Sequence, residues 1–306
     1  MAYQGQDGDG AGIYAQRYNA DGSPVGGEFK VNPYNFDLGN RPSICSLSDG
    51  GFLICWQVLF ISADHDYNEG PKSEGIYAQR YNADGSPNGG EFQVNTHTSS
   101  DQQNPSVSSL ADGGFLISWQ SDHKGRYWDI YAQRYNADGS TNGNAFQVNT
   151  YTSNHQSNPS VSSLDDGGFL ISWECESCDG YGWGIYAQRY NADGTPNGSE
   201  FQVNTNTSSN QSWSQVSSLE DGGFVIAWTS ITQTSYGQDG DGNGIYAQRY
   251  NPDGTSNGGE FRVNTSPLRS GGVHFVGDIY APRYNDNGFL NVREFQPLTG
   301  GSFLIS

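Results

Sequence analysis

Three aromatic residues, Trp128, Tyr181 and Trp183, stand in loop-like segments beside the carboxylates Asp122, Asp129 and Asp179. Flat rings next to polar groups stack on sugar rings, so a glycan is the ligand this pattern suits; packing between neighbouring sheets is the other use of the same rings. Two Asp-Gly-Asp-Gly segments bring Asp7 together with Asp9, and Asp239 with Asp241. Alternate carboxylates in a glycine-rich loop can begin a calcium cage, which makes calcium the one cofactor to consider. Two carboxylates fall short of its six to eight oxygens, so a plain Gly-rich turn is the alternative. Catalysis finds less support. His65, His97, His123, His155 and His274 show no metal spacing and no Ser/His/Asp arrangement. Glycoside hydrolysis needs two carboxylates across a cleft. Glu69, Glu74, Glu174 and Glu176 are available, but nothing in the sequence pairs them. No catalytic residue is assigned, and the expectation is a non-enzyme.

The elements that must position these residues come from a repeat. Ile13-Tyr14-Ala15-Gln16-Arg17-Tyr18-Asn19 returns nearly letter for letter at Ile76, Ile130, Ile185 and Ile245, and once more at Ile279 with Pro282 in place of Gln. A unit of roughly 55 residues is one supersecondary element that must stack on copies of itself to bury a core. In one such unit, 105–110 reads as a strand, Asp112-Gly113-Gly114 as a tight turn and 115–119 as its partner. A variable loop follows, then a strand over 130–136, a turn at Ala137-Asp138-Gly139 and a short strand over 145–149. Phe115, Ile117 and Trp119 lie on one face and Leu116 on the other, which suits a sheet covered on both sides. Trp56, Trp119, Trp173 and Trp228 are core by this periodicity.

This pattern predicts an all-β fold, a β-propeller of four-stranded antiparallel blades. Units fall at 42–95, 105–149, 159–204 and 214–264, with a degenerate unit at 265–295. The last residues, 296–306, combine with 1–32 into a closing blade, making 1–306 a single repeat domain. Six phrases predict six blades. Because only 266–277 stands where a full hairpin belongs, five blades plus an insertion is the alternative, and a window cut from a longer array is another. Arg17, Arg80, Arg134, Arg189, Arg249 and Arg283 recur once per unit, on the strand face of the preceding Ile and Ala. Half-buried guanidiniums need carboxylate partners, so a structural role with a turn Asp is expected.

Composition narrows the class. A net charge of −19 with only 14 basic residues repels phosphate backbones, so nucleic acid is not an expected partner. No run approaches the roughly 18 apolar residues of a membrane span. Cys45 and Cys55 replace the serines found at Ser108 and Ser118 and flank the Asp49-Gly50-Gly51 turn. A three-residue loop there would set them opposite each other for a disulfide; independent thiols are the alternative. Cys175 and Cys178 form a lone C-x-x-C, better read as a local disulfide than as half a zinc site. Two such bridges fit an oxidising, extracellular setting. The first residues lack the charged and apolar regions of a secretory leader, which implies a removed leader or a fragment.

Residues 75–85 (Gly-Ile-Tyr-Ala-Gln-Arg-Tyr-Asn-Ala-Asp-Gly), 91–95 (Glu-Phe-Gln-Val-Asn) and 109–115 (Ser-Leu-Ala-Asp-Gly-Gly-Phe) resemble the tandem repeats of large secreted or surface bacterial proteins, including cyanobacterial ones. Those proteins often also carry haemolysin-type calcium-binding repeats. The resemblance covers nearly the whole chain and implies an extracellular or cell-surface, repetitive, calcium-associated protein. The nonapeptide calcium repeat itself is absent from this chain. The expectation is therefore a non-catalytic protein of adhesion, recognition or extracellular structure, with a glycan or protein partner or with itself. A calcium-dependent lectin-like propeller is the alternative, and a glycosidase-like enzyme a weaker one.

Overall fold

Alternation of apolar residues between Asp-Gly turns produces strands and little else. The computed structural model describes residues 2–6, 11–32, 38–59, 75–98, 100–122, 125–231, 244–264, 295–298 and 302–305, and every regular element among them is a strand. The chain divides into two compact units, Met1–Gln147 and Val148–Ser306.

In the first unit, β1 (Ala2–Gln6), β2 (Ala11–Tyr18) and β3 (Pro24–Lys30) form a three-stranded sheet. Two four-stranded meanders follow. One comprises β4 (Leu38–Ser46), β5 (Phe52–Leu59), β6 (Gly75–Tyr81) and β7 (Phe92–Gln93). The next comprises β8 (Gln102–Ser109), β9 (Phe115–Ser121), β10 (Asp129–Tyr135) and β11 (Thr141–Gln147). In the second unit, β12 (Gln156–Ser163), β13 (Phe169–Glu176), β14 (Trp183–Tyr190) and β15 (Phe201–Gln202) make one meander. A second contains β16 (Asn210–Ser218), β17 (Phe224–Ile231), β18 (Gly244–Tyr250) and β19 (Phe261–Arg262), and β20 (Phe295–Leu298) pairs with β21 (Ser302–Ile305). All pairings are antiparallel between consecutive strands. These are the blade-type sheets of a β-propeller. Among the described residues, five sheets have three or four strands, the smaller of the two counts the repeat allows. In the terminal segments, β1 pairs with β2, and β20 with β21. Residues 265–294 of the degenerate unit at 265–295, Arg283 among them, lie outside the described residues.

Both faces of the central strands are covered. Every residue of β9 is buried. Leu53, Cys55, Ile76 and Ala78 of one sheet meet Val107, Phe115, Ile117 and Trp119 of the next. In the second unit, Leu170, Ile185 and Ala187 meet Phe224, Ile226 and Trp228 in the same way. Each repeat Phe stacks on the Tyr that ends the third strand: Phe115 on Tyr135 and Phe224 on Tyr250, both with centroids 4.8 Å apart. Such a pair contributes about 0.5–1.5 kcal/mol beyond its buried area.

The Asp-Gly-Gly turn has a separate reason for each residue. The Asp112 carboxylate accepts the Gly114 N–H at 2.9 Å, Gly113 adopts φ +84°, and a Cβ on Gly114 would run into the Tyr135 carbonyl. At the opposite end of each sheet, a buried Asn ties the fourth strand to the start of the third. Asn204 Oδ1 accepts the Ile185 N–H at 2.7 Å, and Asn95 does the same for Ile76 at 2.8 Å.

The register corrects one pairing. Ser46↔Phe52, Cys45↔Leu53 and Ser43↔Cys55 are opposite each other, so the hairpin loop spans residues 47–51. The longer loop shifts Cys55 past Cys45, and both remain free thiols rather than a cross-strand disulfide. Cys175 and Cys178 are disulfide-bonded.

Candidate functional site

In each meander, the Asp-Gly turns lie at one end. The loop from second to third strand and the linker to the next sheet lie at the other. The repeat arginines serve the turn end. Arg189 meets Asp166 at 2.9 Å, Arg134 meets Asp112 at 3.3 Å, Arg80 meets Asp49 at 3.5 Å, and Arg249 pairs with Asp221. Arg80 also donates to the Asp138 carbonyl of the next sheet at 2.6 Å, and Arg17 donates to that of Asp84. These guanidiniums join hairpin to hairpin and sheet to sheet.

The loop end of the second unit carries a different chemistry. The Cys175–Cys178 bridge closes a small ring at the end of β13, and Ser177 within it takes φ +55°. The Glu176 N–H donates to the His155 carbonyl at 2.9 Å, and Asn154 Nδ2 donates to the Glu176 carbonyl at 3.2 Å, fixing the ring to the incoming linker. Asn210 Oδ1 accepts the Trp183 N–H at 3.2 Å, and a side chain on Gly182 would collide with that same oxygen. The loop is thereby held to the first strand of the next sheet.

Asp179 turns inward. One carboxylate oxygen accepts the Tyr181 N–H at 3.3 Å, and the other accepts Gln202 Nε2 at 3.2 Å. Tyr181 is thrown outward and is 58% exposed, with Trp183 half-buried beside it in sequence. Tyr151, 38% exposed, takes a hydrogen bond from Asn154 Nδ2 to its hydroxyl at 3.5 Å. Burial pushes the Tyr186 phenol up, and the negative charges of Asp179 and Glu200 add to the effect. Glu174, 5% exposed, accepts the Trp213 N–H at 2.6 Å.

In the first unit, Trp128 is half-buried next to the buried Asp129, and the Arg126 guanidinium lies 5.0 Å from the Tyr127 ring centroid. Tyr131 is pushed up to about 12 by burial and then by Asp129. Trp128 belongs to this unit, and Tyr181 and Trp183 to the other. Asp7, Asp9, Asp239 and Asp241 lie outside the described residues, as do His65, His123 and His274. Among the described residues, no group of three or more His, Cys, Asp or Glu side chains converges, and no helix is long and apolar enough to cross a membrane.

Sequence reasoning missed Tyr151, Tyr186, Asn210 and the Glu174–Trp213 pair. The signal was available by aligning repeat positions. Trp213 stands where Asn104 and Asn158 stand in their sheets, and Glu174 where Gln57 and Gln120 do.

No protein-family model and no curated protein matches the sequence. Solved structures do. A protein of unknown function from Dyadobacter fermentans DSM 18053 superposes with a TM-score of 0.52 at 11% identity, covering 76% of this chain and 70% of that one. A Hadza microbial sialidase gives 0.51 at 12% identity over 70% of this chain and 45% of that one. An α-L-arabinofuranosidase from Lactobacillus brevis gives 0.47 at 14% identity, covering 84% and 93%. These likenesses are of fold. The expectation of a non-catalytic adhesion, recognition or structural protein is corrected on the fold this chain shares with the sialidase.

Proposed function

We propose that the chain is a glycosidase-like, glycan-active propeller that holds a saccharide at the loop end of the β12–β15 sheet. The observation that carries this reading is the outward Tyr181 with Trp183, set beside Asp179 and Glu176 on a disulfide-closed loop tied on both sides. The rings offer stacking faces to a pyranose or furanose. Glu176 and Asp179 supply the two carboxylates that glycoside hydrolysis uses. One protonates the leaving oxygen, and the other assists attack at the anomeric carbon. The fold shared with a sialidase supports the assignment, and the disulfide fits an oxidising, extracellular compartment.

The test is release of reducing ends from arabino-, xylo- and galacto-oligosaccharides, alongside titration of the same sugars by intrinsic fluorescence. Hydrolysis that is lost in Glu176→Gln and Asp179→Asn, with binding weakened in Tyr181→Ala, is the expected result. Binding without any hydrolysis removes the catalytic assignment. Absence of both removes the reading.

A further inference from the structure

We infer that the saccharide held at this loop end is uncharged, and that sugars bearing a carboxylate are rejected. The inference rests on the glycan reading above and deepens it with the charge of the site. Glu174, Glu176, Asp179 and Glu200 all belong to this end of the β12–β15 sheet. Asp179 and Glu200 both act on Tyr186, and Glu200 accepts the Thr150 N–H at 2.8 Å. On the neighbouring sheet, Glu260 accepts the Thr205 N–H at 2.8 Å, adding one more carboxylate to the linker side.

An anionic sugar needs a guanidinium or ammonium to replace the water around its carboxylate. The described basic side chains of this unit are His155, Arg189, Arg249 and Arg262. Arg189 and Arg249 are committed to Asp166 and Asp221. Arg189 lies six residues along β14 from Trp183, about 20 Å at strand rise. That separation is about two Debye lengths at physiological salt, so its charge is screened from the loop end. Arg262 sits on the outer strand of the next sheet, with Nε directed to Asn264 Oδ1 at 3.5 Å, and it covers Gly244. His155 is bound through its backbone, donating its N–H to the Glu176 carboxylate at 3.5 Å and accepting the Glu176 N–H. The platform thus offers stacking faces and hydrogen-bond acceptors, which suit sugar hydroxyls, in a field that opposes a second negative charge.

Paired probes test this: lactose against sialyllactose, and xylotriose against trigalacturonic acid, titrated into the whole chain at low salt and again at 0.5 M salt. The expected result is saturable binding of a neutral sugar with its anionic counterpart at least about tenfold weaker at low salt, a gap that narrows as salt screens it. Glu200→Gln, which removes a negative charge outside the two proposed catalytic carboxylates, should narrow the low-salt gap while retaining neutral-sugar binding. Equal or tighter binding of an anionic sugar, or a gap indifferent to both salt and Glu200→Gln, overturns this inference and leaves the glycan reading standing. If no sugar of either kind binds, the glycan reading fails, and this inference fails with it.

Discussion

Glu174 accepts the backbone N–H of Trp213 at 2.6 Å across two neighbouring sheets, and Trp213 holds φ +58°. At the corresponding place in the first unit, Gln57 accepts the N–H of Asn104 at 2.8 Å, with Asn104 at φ +55°. Asn tolerates the left-handed region, whereas a bulky indole pays for it, so strain is concentrated where the repeat is broken. Strain of this kind persists where its surroundings over-determine it, and it collects at functional surfaces.

Trp213→Asn should therefore raise stability by about 1 kcal/mol. Glu174→Ala should lower it by about 1 kcal/mol, because a partly buried N–H loses its acceptor. Urea unfolding of the two variants checks both signs. A destabilised Trp213→Asn would show that indole packing outweighs the backbone strain.

A second difference between repeats points to a stabilising change. The buried indole N–H of Trp119 donates to Gln102 at 2.9 Å, that of Trp173 to Gln156 at 2.9 Å, and that of Trp228 to Gln211 at 3.0 Å. Gly39 occupies the equivalent register position opposite Val58, and the fully buried Trp56 Nε1 has no partner among the described residues. Gly39→Gln should restore the bond and reduce chain entropy in the unfolded state, together adding about 1–2 kcal/mol. Thermal melting of the variant measures this, and a lowered midpoint would count against it.

Much of this architecture is legible in the chain of residues alone, because its causes are local. Asp112-Gly113-Gly114 demands a turn, and Phe115, Leu116 and Ile117 demand cover on both faces. What escaped depended on register. The Cys45–Cys55 bridge assumed a three-residue loop, and lengthening that loop by two residues separated the thiols. The site escaped for another reason. Tyr151, Glu200 and Asn210 are ordinary in sequence and acquire meaning only when linker, loop and next sheet meet around Asp179 and Trp183. Non-catalytic readings drew weight from the symmetry of the repeat, although the informative residues are those that depart from it.

The thiol state follows from the corrected register. Burial pushes the Cys45 thiol up to about 12 and the Cys55 thiol well above its ordinary range. Both are therefore protonated and slow at neutral pH, since the thiolate is the reactive form. A thiol reagent should find little in the native chain and two groups after unfolding without reductant, the other two of the four cysteines being joined at Cys175–Cys178. Zero groups after unfolding would restore the cross-strand bridge, and four would remove the loop disulfide.

Stability should fall on the alkaline side first. Burial raises the phenols of Tyr81, Tyr135, Tyr190 and Tyr250 well above the ordinary value, and Tyr131 to about 12. In the unfolded chain these groups titrate near 10.0. Above that pH the unfolded state releases protons that the folded state retains, so the unfolded state binds fewer and stability declines as pH rises. The contribution is fully present below pH 10 and is lost as pH climbs through the folded values. The acid side has the opposite sign. Asp84, Asp138 and Asp253 are held below 3.8 by the hydroxyls of Ser86, Ser140 and Thr255. Their contribution is present above that value and disappears as pH falls through the lower folded one. These carboxylates are exposed, so the acid decline should be shallow and the alkaline one steep. Urea midpoints from pH 3 to 12, with phenolate absorbance followed in parallel, measure both arms. Phenolate from all 19 tyrosines appearing near pH 10 without loss of structure would show that these five are not sealed between the sheets.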